Sequence, residues 1–302
     1  MMKKVLAAIM TAAMAAALSI GAAAGEDGKI EAGGLVFEIP EEYKSLLTVQ
    51  TEDLSPDTLI TVSETASIEA AEADGQNIPG PGWLFSISRI PEDELKRLRC
   101  GSMDGMEVFA RDDSGIYYVY NHPTDVRFVR EQYEDIDEDL KQWGELNDWA
   151  FGTVREEVLK DNPQLEKKTF GNTSLDMFLA RAAFEEGIHY EIRSLYFGTL
   201  DPTVNGENDN LKDLIEGVSY ETIYDLSPEE TPDGEYIVLA FDDDGVQFDF
   251  FLGEGMENYI RQVTYLDNDE TSEILYKAVF EDPEKTSTGI MKEWAASMTQ
   301  AG

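Results

Sequence analysis

The chain has 302 residues, and its 62 acidic against 23 basic residues give it a formal net charge of −39 at pH 7. Because this field repels phosphate backbones and anionic lipids, nucleic acid and acidic membranes are poor partners, whereas small ligands and basic proteins stay open. Hydrophobic residues make up 42% of the chain, which is typical of a folded protein and excludes a disordered acidic tail.

Residues 1–24 have the pattern of a secretory signal peptide. Lys3 and Lys4 precede a long uncharged segment that ends in three alanines before Gly25. A basic start, an apolar segment and small residues before a polar start are typical of a cleaved leader. An uncleaved anchor is the alternative, because an uncharged segment of this length could span a bilayer. We expect cleavage, and therefore a secreted, extracellular protein whose mature chain has no membrane partner.

Residues 25–165 are predicted to form an N-terminal α+β domain. Alternating or apolar runs indicate strands at 34–39, 46–52, 58–64, 83–90, 106–110 and 116–120. Helical patterns are found at 65–75, 91–101 and 135–160. The helix at 91–101 has the fullest set of signals, because Pro91 opens it, acidic residues precede basic ones, and Gly101 ends it.

Residues 166–302 are predicted to form a C-terminal α+β domain. The predicted boundary lies near a polar stretch at 161–172 that contains helix-breaking residues. A capped helix at 172–187 opens this domain and a helix at 286–298 closes it. Strands are predicted at 189–200, 234–241, 246–252 and 257–266, with a short helix at 208–217. The two halves together indicate an α+β fold of antiparallel sheets with packed helices.

The two halves also share one hairpin pattern. Residues 109–120 and 239–250 align without a gap, and each hairpin is followed by an arginine, Arg130 in the first half and Arg261 in the second. One interpretation is that two related α+β units stand in tandem after a duplication. The other interpretation is coincidence, because Asp-Gly turns between strands are common.

The aspartate-rich turns of these hairpins have two interpretations of their own. Aspartates followed by a glycine between two strands are typical of a type I turn closed by a left-handed glycine. Carboxylates also bind calcium, but neither turn has the spacing of an EF-hand loop, and 267–273 has alternate ligand positions without the central glycine. We therefore predict plain turns and no metal site.

A binding site is predicted near the first hairpin. If 124–131 is a strand, its two arginines point to opposite faces. A guanidinium group can bind the carboxylate of a ligand bidentately, and a histidine within reach could act as a base. The predicted ligand-binding residues of both halves are Trp83, Tyr118, His122, Arg127, Arg130, Tyr259 and Arg261. The alternative is that the arginines pair with the protein's own carboxylates, as expected in an acidic protein.

Catalytic chemistry has little support in the sequence. Cys100 is the single cysteine, so no internal disulfide forms, and with only His122 and His189 besides, a zinc site lacks ligands. Nucleophile and phosphate-loop motifs are absent. We predict no catalytic residue and no cofactor.

The leading hypothesis is therefore a secreted, acidic, non-enzymatic binding module for a small ligand or a basic protein. A carboxylate-dependent extracellular hydrolase acting on glycans is an alternative, because 62 acidic residues offer many pairs of carboxylates. A calcium-stabilised surface protein is a second alternative, because carboxylate oxygens are calcium ligands.

Overall fold

The computed structural model describes residues 29–73, 75, 79–130, 136–186, 188–194, 198–200, 209–224, 234–266 and 270–300. The predicted signal peptide, residues 1–24, lies outside the described residues. Within the described residues, six α-helices and three antiparallel sheets, with 30% helix and 36% strand, confirm the predicted α+β class. The helices are α1 (Thr65–Ala73), α2 (Glu92–Arg99), α3 (Ile136–Gly152), α4 (Val154–Asp161), α5 (Ser174–Phe184) and α6 (Ser287–Gln300).

The described residues form two compact units. The first unit contains those up to Glu92 together with Asp104–Lys168, and the second contains Asp93–Met103 together with those from Thr169 onward. Nearly all of α2 therefore lies in the second unit, although both its neighbours in sequence lie in the first. Whether residues 25–165 and 166–302 fold as separate domains stays a prediction.

The first unit contains a two-stranded sheet and a six-stranded sheet. The smaller sheet pairs β1 (Lys29–Ala32) with β2 (Leu35–Glu38). The strands of the larger sheet are β3 (Leu47–Gln50), β4 (Thr58–Glu64), β5 (Trp83–Pro91), β6 (Met106–Arg111), β7 (Ile116–Asn121) and β8 (Glu166–Lys167). Their order in the sheet is β3-β4-β5-β7-β6-β8.

The core of the first unit joins the six-stranded sheet to α3. Phe85 of β5 stacks on Tyr120 of β7 with ring centroids 5.2 Å apart, and Trp149 of α3 contacts Phe85 edge-on at 5.9 Å. The buried hydroxyl group of Tyr120 donates to the backbone oxygen of Ala150 at 2.7 Å. The sheet and the helix are therefore joined by a hydrogen bond as well as by packed rings.

The second unit contains a seven-stranded sheet. Its strands are β9 (Glu191–Ser194), β10 (Gly198–Leu200), β11 (Val218–Ile223), β12 (Tyr236–Phe241), β13 (Val246–Phe251), β14 (Tyr259–Tyr265) and β15 (Thr271–Phe280), in the order β10-β9-β12-β13-β14-β15-β11. Helices α5 and α6 contribute side chains to its core. Phe178 of α5 contacts Phe241 and Phe248 at 4.9 and 5.5 Å, and Trp294 of α6 contacts Tyr190 at 5.9 Å between ring centroids.

Two predicted elements differ from the structure. The segment considered as a strand at 124–131 forms no strand in its described part, because backbone groups of Arg127 and Val129 hydrogen-bond to Gly82 and to the side chain of Ser67 instead. The helix predicted at 135–160 is divided into α3 and α4 at Thr153, whose hydroxyl group donates to the backbone oxygen of Trp149 at 3.0 Å. A side-chain hydrogen bond of this kind competes with the helical pattern.

The sequence analysis predicts no strand for β11 or β15. Both strands alternate, since Val218 and Tyr220 of β11 and Tyr276 and Ala278 of β15 are buried while their neighbours are more exposed. This period of two is the signal that could have found them. In β15 the charged residues and the acidic segment at its start obscure this alternation.

The two hairpins have the same turn but different surroundings. Gly115 and Gly245 both have positive φ angles, +85° and +65°, and their N–H groups donate to the backbone oxygens of Asp112 and Asp242 at 3.0 and 3.1 Å. However, β7 lies next to β5, which precedes the hairpin, whereas β13 lies next to β14, which follows it. The shared turn geometry therefore does not extend to a shared strand order.

Candidate functional site

The seven predicted site residues are divided between the two units. The first unit contains Trp83, Tyr118, His122, Arg127 and Arg130, whereas the second contains Tyr259 and Arg261. Each group is described within its own unit below.

The guanidinium group of Arg130 forms a bidentate ion pair with the carboxylate of Glu64 through both of its terminal nitrogens. Nη2 lies 2.8 Å from Oε1 and Nη1 lies 2.9 Å from Oε2. Glu64 is fully buried at the end of β4, and the Arg130 side chain is only 9% exposed. The hydroxyl group of Ser67 donates to Oε2 at 2.5 Å, and Gln142 of α3 donates to Oε1 at 3.4 Å. The carboxylate therefore has hydrogen-bond donors on both of its oxygens.

Close backbone contacts position this pair. Gly82 accepts a hydrogen bond from the N–H of Glu64 and donates one to the backbone oxygen of Arg127, both at 2.7 Å. Its φ is +69°, and a Cβ atom there would lie 2.5 Å from the backbone oxygen of Glu64. Only glycine fits such a conformation at such a distance. The loop before β5 thus joins the end of β4 to the segment that contains Arg130.

Neighbouring carboxylates and an aromatic ring surround the Arg130 guanidinium group, so its charge is largely neutralised within the protein. Nε lies 3.3 Å from an oxygen of Asp139, and the guanidinium carbon lies 4.4 Å from the centre of the Phe128 ring. Hydrogen bonding to Glu64, together with the charges of Glu64 and Asp139, raises the pKa of Arg130 although burial opposes this. Such a pair holds segments of the chain together, because both charges are satisfied internally.

Two further predicted residues of the first unit, Arg127 and Trp83, also have internal partners. Arg127 contacts Asp125 at 2.7 Å through Nε and the backbone oxygen of Pro79 at 2.5 Å through Nη1. Trp83 donates to the hydroxyl oxygen of Ser86 at 3.0 Å.

Tyr118 is bound to the first aspartate-rich turn. Its hydroxyl group donates to Oδ2 of Asp112 at 3.4 Å, while Oδ1 accepts bonds from the Ser114 N–H and hydroxyl groups and from the Ile116 N–H at 2.9, 2.6 and 3.0 Å. Burial alone would raise the pKa of Asp112, but these hydrogen bonds outweigh it and lower that pKa. The Asp112 carboxylate therefore stabilises its own turn, and the calcium hypothesis stays a prediction.

His122 lies beside two charged residues that the sequence analysis did not select. Its Nε2 is 3.7 Å from Oε1 of Glu107, and Arg155 at the start of α4 forms an ion pair with the same carboxylate. The ring of Phe151 contacts the imidazole at 4.9 Å, and Nδ1 lies 3.1 Å from the backbone oxygen of Pro123. Among the described residues, no hydroxyl or thiol group is hydrogen-bonded to His122, so no nucleophile pair is assembled there.

Arg261 in the second unit repeats the buried arginine–carboxylate pair with a different geometry. It lies directly opposite Asp249 on the neighbouring strand, and Nε and Nη2 donate to the same oxygen, Oδ2, at 2.9 and 2.7 Å. Asp249 is fully buried, and Gln247 donates to its other oxygen at 3.0 Å. Burial raises the pKa of Asp249 despite the hydrogen bonds from Arg261. Tyr259 begins the same strand, opposite Lys277.

A second buried arginine, Arg99 of α2, was also missed by the sequence analysis. It is 4% exposed, its Nη2 donates to the backbone oxygen of Ile215 at 3.1 Å, and its guanidinium group lies 4.4 Å from the Phe170 ring centre. Burial lowers the pKa of Arg99, although the charge of Asp176 opposes this. The Asp176 N–H donates to the Thr173 hydroxyl oxygen at 3.2 Å, and the Thr173 N–H donates to the Asp176 carboxylate at 3.0 Å, which forms a capping box at the start of α5.

Cys100 follows Arg99 and has an unreactive environment. Burial raises the pKa of its thiol group from 9.0 to about 11. The thiol contacts the backbone oxygens of Lys96 and Ala180 at 3.3 and 3.6 Å. A thiol with so high a pKa is a poor nucleophile at neutral pH, because the thiolate is the reactive form.

The described residues contain neither a membrane-spanning helix nor a cluster of metal ligands. No helix among them is long and apolar enough to cross a bilayer. Within the same part of the chain, no group of three or more histidine, cysteine, aspartate or glutamate side chains is placed to hold a metal ion. Comparison of the chain with protein families, curated proteins and solved structures finds no match.

Proposed function

We propose that this protein is a non-enzymatic binding module that acts outside the cytoplasm and recognises a cationic partner. The observation that supports this most directly is that most of its arginines are paired with the protein's own carboxylates. Of the ten arginines, eight form ion pairs with carboxylates of their own unit, namely Arg97, Arg111, Arg127, Arg130, Arg155, Arg181, Arg193 and Arg261.

Internal pairing changes which partners the surface favours. Arginines that are bound to the protein's own carboxylates are poor sites for an anionic ligand, since binding would have to break a pair first. The chain still has 62 acidic residues against 23 basic ones, so its basic residues can neutralise only a minority of its carboxylates. Such a surface attracts cationic proteins from a distance and increases their rate of association.

The location outside the cytoplasm is supported by the sequence of residues 1–24, which has the three parts of a secretory leader. N-terminal sequencing of the protein after expression in a secreting host checks this part. A mature N-terminus close to Gly25 is expected, and a protein that begins at Met1 in the cytoplasm would contradict it.

Binding itself is tested with two charged polymers. The purified protein should bind poly-L-lysine and not poly-L-glutamate in biolayer interferometry, and the affinity should fall steeply when NaCl is raised from low to high concentration. An unrelated folded protein of similar net charge and size serves as the matched control. If that control binds poly-L-lysine as tightly as this protein does, charge alone explains the binding and the proposed recognition is wrong.

A further inference from the structure

Strand β11 is an unusually long edge strand for this molecule. It has six residues and lies at one edge of the seven-stranded sheet. The other edges of the two large sheets are formed by β3, β8 and β10, which have four, two and three residues. Short edge strands are a common protection against pairing with another chain, and β11 lacks this protection.

The pairing of β11 shows which backbone groups point away from the sheet. Its six residues pair with β15 without a register shift, from Val218 opposite Phe280 to Ile223 opposite Leu275. The N–H of Glu281 donates to Gly217, and the N–H of Ala278 donates to Asn258 on the β14 side.

Hydrogen bonds between antiparallel strands alternate along the pair. Since Ala278 is bonded towards β14, its partner Tyr220 is not bonded to β15, and the same holds for Val218 and Thr222 at two-residue intervals. The backbone groups of these three residues therefore face the outer edge. Among the described residues, nothing hydrogen-bonds to them.

The sequence of β11 lacks most of the usual devices that block an edge, and its one charged residue is Glu221. Val218–Ile223 includes no proline, no glycine and no lysine, and its pairing contains no bulge. Two exposed side chains flank it, Tyr224 directly after the strand with 86% exposure and Val279 of β15 with 43%. A regular, open edge beside exposed aromatic and aliphatic groups is suited to the addition of an extended segment.

We propose that β11 is the docking edge for an extended, cationic segment of the partner, which adds to the sheet as an eighth strand. This inference rests on the proposed function, because the charge of the partner is taken from it. Glu221 on β11 is exposed and favours a basic side chain in the added strand. A second copy of this chain is the less favourable occupant, since each copy has a net charge of −39.

Two synthetic peptides test the edge. One has five lysine–valine repeats and readily forms a strand, and the other has five lysine–glycine repeats, with the same charge and a low strand propensity. Amide hydrogen exchange of the whole protein is followed by NMR with each peptide. We expect the N–H groups of Tyr220 and Thr222 to exchange rapidly in the free protein and at least tenfold more slowly with the lysine–valine peptide. The lysine–glycine peptide should give little protection.

Variants at Thr222 provide a second measurement. Thr222→Pro removes an N–H that faces the outer edge without removing a bond to β15, so it should weaken binding of the lysine–valine peptide by about tenfold. Thr222→Val keeps the N–H and should bind normally. If the proline variant fails to fold, Thr222→Lys replaces it, because a lysine on the edge repels a cationic strand.

The outcomes separate this inference from the proposed function. If neither peptide binds, both the cationic partner and the docking edge are wrong. If both peptides bind equally and leave Tyr220 and Thr222 unprotected, the partner is cationic but does not dock on β11. Normal binding by Thr222→Pro would likewise overturn the docking edge alone.

Discussion

Arg130 and Glu64 are 66 residues apart in the sequence, yet their side chains form a bidentate ion pair in which the carboxylate is fully buried. The pair joins the end of β4 to a segment without regular secondary structure. The position that the sequence analysis selected as a ligand-binding arginine is therefore bound by the protein itself in the structure.

We expect Arg130→Ala to destabilise the first unit strongly. The substitution leaves the buried carboxylate of Glu64 without its counter-charge, and loss of one partner of a buried pair typically costs about 3–5 kcal/mol. Urea unfolding measures the change. Arg97→Ala is the matched control, because Arg97 pairs with Glu94 on the surface of α2, where such pairs contribute about 0–1 kcal/mol. Equal effects of the two substitutions would show that the Glu64 pair is not a stabilising contact.

We expect Gly82→Ala to be more damaging than Gly34→Ala. Both glycines have positive φ angles, +69° and +89°, so both substitutions cost backbone strain of about 1 kcal/mol or more. A Cβ atom at position 82 would also lie 2.5 Å from the backbone oxygen of Glu64, whereas position 34 has nothing within 4 Å. The difference between the two melting temperatures isolates the steric clash. A Gly34→Ala protein that melts as low as the Gly82→Ala protein would contradict it.

We expect Asp176 to make the protein less stable as pH rises through the acidic range. Burial raises the pKa of Asp176 in the folded protein, although hydrogen bonds from Thr173 oppose it. The folded state therefore holds this proton more tightly than the unfolded state does. This contribution to stability is full below the unfolded pKa of about 3.9 and is lost as pH rises through the folded pKa.

The variant Asp176→Asn removes that titration while keeping an oxygen that accepts hydrogen bonds from Thr173. Urea unfolding at a series of pH values, compared between the two proteins, shows the contribution of Asp176 as a difference. Asp112→Asn is the opposite control, because the pKa of Asp112 is lowered and its stabilisation is lost as pH falls. A pH dependence unchanged by Asp176→Asn would show that this carboxyl group titrates normally.

We expect Cys100 to react slowly with a thiol reagent in the folded protein. A pKa raised from 9.0 to about 11 leaves about 100-fold less thiolate at pH 8 than an ordinary cysteine has. Ellman's reagent, added to the folded and the urea-unfolded protein, gives the two rates directly. A folded protein that reacts as fast as the unfolded chain would mean that the thiol is open to solvent.

Several parts of the fold could be predicted from the sequence because short-range contacts fix them. The turn at 112–115 depends on an aspartate and a glycine three residues apart, and Gly101, just after α2, donates its N–H to the backbone oxygen of Leu98. Long-range partners were not predictable in the same way. The sequence shows many acidic residues that could pair with Arg130, but no residue near Arg130 in the sequence identifies Glu64 as the partner. For the same reason, Glu107 and Arg155 beside His122 were missed.

By itself, the sequence determined the α+β class, the acidic charge, the leader pattern and the aspartate-glycine turns, since each depends on composition or on residues within a few positions of one another. Only the tertiary structure decided which carboxylate binds each distant arginine, that most of α2 belongs to the second unit, and that β11 lies at an edge of the seven-stranded sheet. These features depend on contacts between segments far apart in the chain, and a carboxylate in a chain with 62 of them is distinguished only by the burial and geometry that folding imposes.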